Sequence, residues 1–224
     1  VPNRTIITPF LSKKLFAAYK VDIITSGIGR NAVIASIEDA FSKGCKELLF
    51  LGSCGGILNL EIGDIVLPES PSSKWLAEEL AQSLTEHNLP FKKVKVKSVN
   101  SLEEENVEYI NCLAASGTSC IDMEFSFFLE KAAELGIEAA GLLYVTDLPH
   151  IKPFTEPKSA AEKKAIINAR QKSIEIVCNV VTQNNSDILK ATLGFLPGIN
   201  KRNELNRLLY EISRREKISE SEIL

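Results

Sequence analysis

The sequence of 224 residues contains only five cysteines, two histidines and a single methionine. Cys45, Cys54, Cys112, Cys120 and Cys178 are odd in number and widely scattered, and no two have the close spacing of a zinc knuckle. Free thiols in a reducing compartment follow. His87 and His150 form no metal or triad constellation with other residues. Long apolar runs are also missing: the stretch around residues 47–51 is far too short to span a bilayer. The first residues lack the basic, apolar and small-residue order of a signal peptide. A soluble, cytoplasmic protein is the expectation. Nor is there an excess of positive charge. With 26 Lys and Arg against 29 Asp and Glu, the net charge of −3 gives no electrostatic reason to expect nucleic acid. The expected partners are a small molecule and copies of the same chain, a dimer being favoured, with no membrane.

What remains is ordinary globular material, 45% hydrophobic and 25% charged. The length suits one domain with an appendage. Residues 1–182 are assigned to the domain and 187–224 to a small helical extension, with the polar run Gln183-Asn184-Asn185-Ser186 as linker. Strands are expected over 4–8, 21–26, 46–51, 64–68, 91–99, 120–123 and 140–147. Helices are expected over 11–19, 30–43, 72–87, 102–115, 124–135 and 157–181, and in the tail over 203–215 and 219–224. Val33, Ile34, Ile37, Ala40 and Phe41 share one face of the 30–43 helix, and Phe125, Phe128, Leu129 and Ala132 one face of the 124–135 helix. Alternating strands and helices predict an α/β fold, a three-layer α/β/α sandwich around a mainly parallel, mixed sheet. Ligands of such sheets sit at the carboxyl ends of the strands, where Gly27, Gly52, Met123 and Asp147 should converge.

Four segments could carry chemistry. Gly27-Ile28-Gly29-Arg30-Asn31-Ala32 has the form of a dinucleotide fingerprint, but the next strand ends Phe50-Leu51-Gly52-Ser53 without the acidic residue that would hold a ribose. A tight turn explains the glycines equally well. Gly52-Ser53-Cys54-Gly55-Gly56 could be a nucleophile elbow with Cys54 as thiolate, making a cysteine hydrolase a weaker alternative. An elbow leads into a helix, however, and residues 57–66 read as a turn and a strand. Asp122-Met123-Glu124 places two carboxylates where backbone N–H groups open a helix, and capping by Asp122 accounts for part of this. Asp147 closes the apolar strand Leu142-Leu143-Tyr144-Val145-Thr146, where desolvation would raise its pKa towards a general acid's range; a turn-forming aspartate near Pro149 is the competing explanation.

Taken in order, Ser26-Gly27-Ile28-Gly29, Gly52-Ser53-Cys54-Gly55-Gly56 with Gly63-Asp64-Ile65-Val66, Asp122-Met123-Glu124 and Thr146-Asp147 resemble the motif series of the nucleoside phosphorylase superfamily. Among its members the chain is most similar to the methylthioadenosine/S-adenosylhomocysteine nucleosidases. The resemblance implies that Glu124 holds the ribose hydroxyls, Met123 packs under the sugar and Asp147 protonates the purine N7. Phe10, Ile28, Ser53, Cys54 and Gly55 are implied as further substrate-binding positions. No cofactor or metal is implied, although phosphate would be co-substrate in a phosphorylase. Three positions depart from the pattern. Phe50 stands where phosphorylases carry a phosphate-binding arginine, Leu11 nearest the water-activating glutamate of nucleosidases, and Leu143 where many nucleosidases have an arginine. The expected activity is cleavage of the N-glycosidic bond of a purine nucleoside or related N-riboside. Hydrolysis is favoured over phosphorolysis, with Lys13 and Lys14 as a possible anion site for the latter. The alternative is a nucleoside-binding or scaffold protein of the same fold without turnover.

Overall fold

The computed structural model describes residues 4–19, 21–71 and 73–194. Residues Val1–Thr182 form a compact unit. Its centre is a mixed eight-stranded sheet whose main path runs β2 (Ile23–Thr25), β1 (Arg4–Thr8), β3 (Glu47–Gly56), β8 (Glu138–Asp147), β4 (Ile65–Pro68) and β5 (Lys92–Val94). The β2, β1, β3 and β8 strands are mutually parallel, whereas β4 runs antiparallel to β8 and parallel to β5. A branch leaves the end of β3: β7 (Cys120–Asp122) pairs antiparallel with Gly55 and Gly56, and β6 (Val96–Ser98) pairs parallel with β7.

Two-sided burial explains why the central strands read as continuous apolar runs. In β3, Leu49 and Leu51 join one core, while Leu48 and Phe50 join the other; Ala140, Leu142 and Tyr144 of β8 alternate in the same way with Ala139, Leu143 and Val145. The first core is covered by α2 (Lys74–Glu86) and α5 (Ala160–Gly194) through Leu76, Leu80, Leu84, Ile174 and Val177. The second is covered by α1 (Arg30–Ser42) and α4 (Phe125–Glu134) through Val33, Ile37, Phe125 and Phe128. The result is the expected three-layer sandwich. Arg4, 2% exposed, ties the sheet to one helix layer: it is paired with Glu47 of β3, donates to both Glu79 carboxylate oxygens of α2 at 2.7 and 2.9 Å, and donates to the Val180 carbonyl of α5 at 2.9 Å.

Several expected boundaries shift for identifiable reasons. The 11–19 segment is a short 3-10 turn, Lys13–Phe16, rather than a full helix. Phe41 is 44% exposed and does not belong to the α1 core face. The single strand expected over 91–99 is two, because β5 and β6 pair with different partners on either side of Lys95. Helix α5 begins at Ala160 rather than 157: Ser159 Oγ accepts from the Glu162 N–H at 3.2 Å and the Glu162 carboxylate accepts from the Ser159 N–H at 2.6 Å, a reciprocal cap. The same helix continues through Gln183-Asn184-Asn185-Ser186, so the run expected to be an irregular linker is helical, while the first compact unit ends at Thr182 as expected. The expected tail helices over 203–215 and 219–224 lie outside the described residues.

Candidate functional site

The two ten-residue strands β3 and β8 run side by side until their last residues, where the register slips. Cys54 pairs with Val145 but Gly55 pairs with Asp147, leaving Thr146 as the extra residue of a bulge. Bulges re-aim side chains at the ends of strands, and this one sets the direction of Asp147. The Thr146 hydroxyl fastens it, 3.4 Å from the Cys54 carbonyl and 3.0 Å from Asp147 Oδ1. A cavity of ≈650 Å³ opens at this point. Phe10 after β1, Ile28 after β2, Gly55 on β3, Ile121 and Asp122 on β7, Met123, Glu124 and Asp147 all line it, joined by residues 100–103, Glu105 and Phe154.

Of the residues singled out in the sequence, Asp147, Glu124, Met123, Gly55, Ile28 and Phe10 are therefore brought together. Ser53 and Cys54 are not among the lining residues. Gly52, expected to converge on the site, is instead a mid-strand residue over which the Phe50 ring closes. The elbow is also ruled out, because β3 continues through Gly56 and Cys54 is a core residue, 3% exposed, with its thiol 3.9 Å from the Tyr144 carbonyl. The adjacent Cys120 thiol, burial and nearby carboxylates push the Cys54 thiol well above its ordinary pKa, the opposite of what a nucleophile needs. Neither His87 nor His150 lines the cavity. Phe50 and Leu143 are fully buried and Leu11 is 2% exposed, so none of the three departures from the family pattern faces the cavity.

The carboxylates are held individually. Glu124 is 5% exposed and accepts the Gly29 N–H at 2.6 Å. Gly29 sits at the start of α1 with φ +94°, a conformation that favours glycine, and no side chain of its own helix caps it. The Glu124 carboxylate thus serves the helix terminus and joins the glycine turn to the site. Burial raises its pKa, partly offset by the backbone N–H groups of Gly29 and Met123. Asp147 is likewise 5% exposed; burial raises its pKa, opposed by the Thr146 hydroxyl and the Lys158 ammonium.

Asp122 is pinned by the Ser98 hydroxyl and by the Phe125 N–H at 2.7 Å, and burial carries its pKa up to about 7 in spite of these bonds. The sign of the linkage follows. A carboxyl whose folded-state pKa lies above 3.8 adds stability while protonated, and that contribution is lost as pH rises through about 7. The melting temperature is expected to fall between pH 4 and pH 8, and Asp122→Asn to flatten that slope in thermal melts. An unchanged slope would remove Asp122 as its source.

Glu105 was not foreseen. The segment Ser101-Leu102-Glu103-Glu104-Glu105 reads as the polar start of a 102–115 helix, but the helix forms only over α3 (Val107–Ala115), started by the Asn106 side chain accepting from the Tyr109 N–H at 2.9 Å. A short 3-10 turn, Leu102–Glu104, precedes it, and Glu105 falls in the corner between the two, half-buried on the cavity wall. Burial, with the Asp147 charge added, pushes its carboxyl up to about 7. Nothing in the sequence distinguishes it from its two acidic neighbours.

The family description "Phosphorylase superfamily" matches residues 6–182. The chain belongs to the phosphorylase superfamily. Among curated relatives, the DeoD-type purine nucleoside phosphorylase of Brevibacillus brevis is 26% identical over 170 residues, covering 66% of this chain and 71% of the relative. Two superfamily structures share the fold. The Campylobacter jejuni 5′-methylthioadenosine/S-adenosylhomocysteine nucleosidase superposes with a TM-score of 0.66 at 14% identity, over 79% of this chain and 97% of that one. The Toxoplasma gondii purine nucleoside phosphorylase in complex with immucillin-H gives 0.68 at 16% identity, over 82% and 93%. A nucleosidase and a phosphorylase thus resemble this fold to nearly the same degree. Among the described residues, no helix is long and apolar enough to cross a membrane.

Proposed function

We propose that the chain cleaves the N-glycosidic bond of a purine nucleoside or related N-riboside, by hydrolysis. The observation that carries this is the meeting of Glu124, Met123 and Asp147 in one cavity, with both carboxyls largely withdrawn from water. As the C1′–N9 bond breaks, positive charge develops on the sugar and the electron pair leaves with the base. Glu124 near the ribose stabilises the first, and a proton passed from Asp147 to N7 neutralises the second. Water adds to C1′ and releases a proton, which restores the Asp147 carboxyl. Met123 offers an apolar surface to the sugar.

Hydrolysis is preferred because Phe50, which is fully buried, stands in the sequence where the resemblance puts the phosphate-binding arginine of phosphorylases, and because no Lys, Arg or His lies among the described residues lining the cavity. Lys13 and Lys14, on the 3-10 turn after β1, do not line it either. The deciding experiment is base release from a nucleoside panel with and without phosphate. Release that is independent of phosphate is expected, and release that requires phosphate would make the chain a phosphorylase. The buried Leu11 at the water-activating position favours one second reading, a protein that binds nucleoside without turnover; binding with no release under either condition would select it.

Glu124→Gln is expected to weaken nucleoside binding about tenfold while shifting the melting temperature little. The amide oxygen can still accept from Gly29, but the charge that strengthens bonds to ribose hydroxyls is gone. Calorimetric titration beside a thermal melt checks both halves. Unaltered affinity would separate Glu124 from the ribose.

A further inference from the structure

The cavity is one-sided in charge. Glu103, Glu105, Asp122, Glu124 and Asp147 line it, and no described Lys, Arg or His does. Asp122, Glu124 and Asp147 each accept a hydrogen bond from the surrounding protein. Glu105 does not: its half-buried carboxyl has neither a hydrogen bond nor an ion pair among the described residues, and the charge it feels is the negative one of Asp147. The nearby cations are engaged elsewhere. The Lys158 ammonium donates to the carbonyls of Lys152, Pro153 and Glu156 at 3.3, 2.7 and 3.1 Å. Arg30 lines an adjoining groove beyond Ile28, its guanidinium 4.9 Å from the centroid of the Phe127 ring.

A half-buried acceptor without a protein donor is free to take one from a ligand. Glu105 lines the same cavity as Asp147, the group assigned to the leaving base, and in the nucleoside reading it faces that base. We propose that Glu105 selects the substrate by the charge of its base, favouring purines that are cationic or present N–H donors and rejecting those that ionise to anions. This rests on the nucleoside reading of the same cavity. A carboxylate about 6 Å from a ligand charge, at the effective dielectric of a partly exposed site, changes affinity by roughly tenfold to a hundredfold.

Three nucleosides with the same ribose separate the effect at pH 8: adenosine with a neutral base, 1-methyladenosine with a cationic one and xanthosine with an anionic one. Binding is measured by calorimetry for the parent and for Glu105→Gln, with base release from adenosine followed in parallel. In the parent, xanthosine is expected to bind at least about tenfold more weakly than adenosine, and 1-methyladenosine at least as tightly as adenosine. In Glu105→Gln, the xanthosine deficit should shrink by about fivefold or more and the preference for the cation should fall. Added salt should narrow the parent's spread. Equal affinities across the three in the parent, or a spread that Glu105→Gln leaves unchanged, would overturn the role of Glu105. If adenosine is still bound and cleaved in that case, the nucleoside reading stands without it. If none of the three binds, both fall together. Preferential binding of xanthosine would also overturn the proposal, and would direct attention to Arg30.

Discussion

Replacing Asp147 by Asn is expected to lower base release by roughly 10²- to 10⁴-fold, the range associated with loss of a general acid. The substitution preserves size, and the amide oxygen can still accept from the Thr146 hydroxyl that now holds Oδ1 at 3.0 Å. What disappears is the transferable proton. Because the amide can donate to N7, nucleoside affinity should change far less than rate, which separates a chemical role from a binding one. The parent supplies a second readout. In the proposed mechanism the working form of Asp147 is the protonated one, and burial raises its pKa, so the proton is retained to higher pH than for a solvated aspartate. Its rate should therefore decline as pH rises through that pKa, and the residual rate of Asp147→Asn should lack the decline. A variant as active as the parent would remove Asp147 from the mechanism.

The aim of Asp147 depends on a feature that no residue type announces. Its position at the end of a long apolar strand is legible from 142–147, and so is the desolvation that follows. The bulge at Thr146 is not, because a register slip depends on which strand lies alongside and where that strand turns away. The same limit explains the other differences. Residues 91–99 carry one alternating pattern, yet β5 and β6 have different partners. Gly52-Ser53-Cys54-Gly55-Gly56 looks like a loop because of its glycines, yet it is strand: close neighbours, not turns, demand small residues there. A Cβ on Gly55 would stand 2.9 Å from Pro149, and one on Gly56 3.0 Å from Leu148. The meeting of Glu124, Met123 and Asp147 in one cavity was legible because they stand in an ordered series that resembles the superfamily's motifs. Glu105 was hidden in a run of three acids, distinguished only by a helix that starts two residues after it.

Phe50→Arg, which puts an arginine where the resemblance implies one in phosphorylases, is expected to unfold the domain rather than confer phosphorolysis. Phe50 is fully buried, and its ring centroid lies 5.6 Å from that of Phe125 and 5.2 Å from that of Phe128. The neighbouring backbone is shaped around it: a Cβ on Gly52 would come within 2.6 Å of the Phe50 ring, and one on Gly141 within 3.0 Å of both the Phe50 Cβ and its carbonyl oxygen. Loss of a buried phenylalanine costs about 3–5 kcal/mol through lost contacts and residual cavity. A guanidinium among Ile7, Val33, Leu143 and the two remaining rings adds the penalty of a charge without a partner, several kcal/mol more. At the roughly 2–4 °C per kcal/mol typical of domains near this size, the melting temperature should fall by on the order of 10 °C or more, or the variant should fail to fold. Phe50→Leu, which keeps the site apolar, should cost about 1–3 kcal/mol and retain phosphate-independent base release. In the proposed reading, core packing at Phe50 closes the position that the resemblance gives to a phosphate-binding arginine, and one substitution would not open it. A Phe50→Arg protein that melts like the parent and gains phosphate-dependent base release would show the opposite, that the side chain at position 50 can turn to the cavity, and hydrolysis would lose its main structural support.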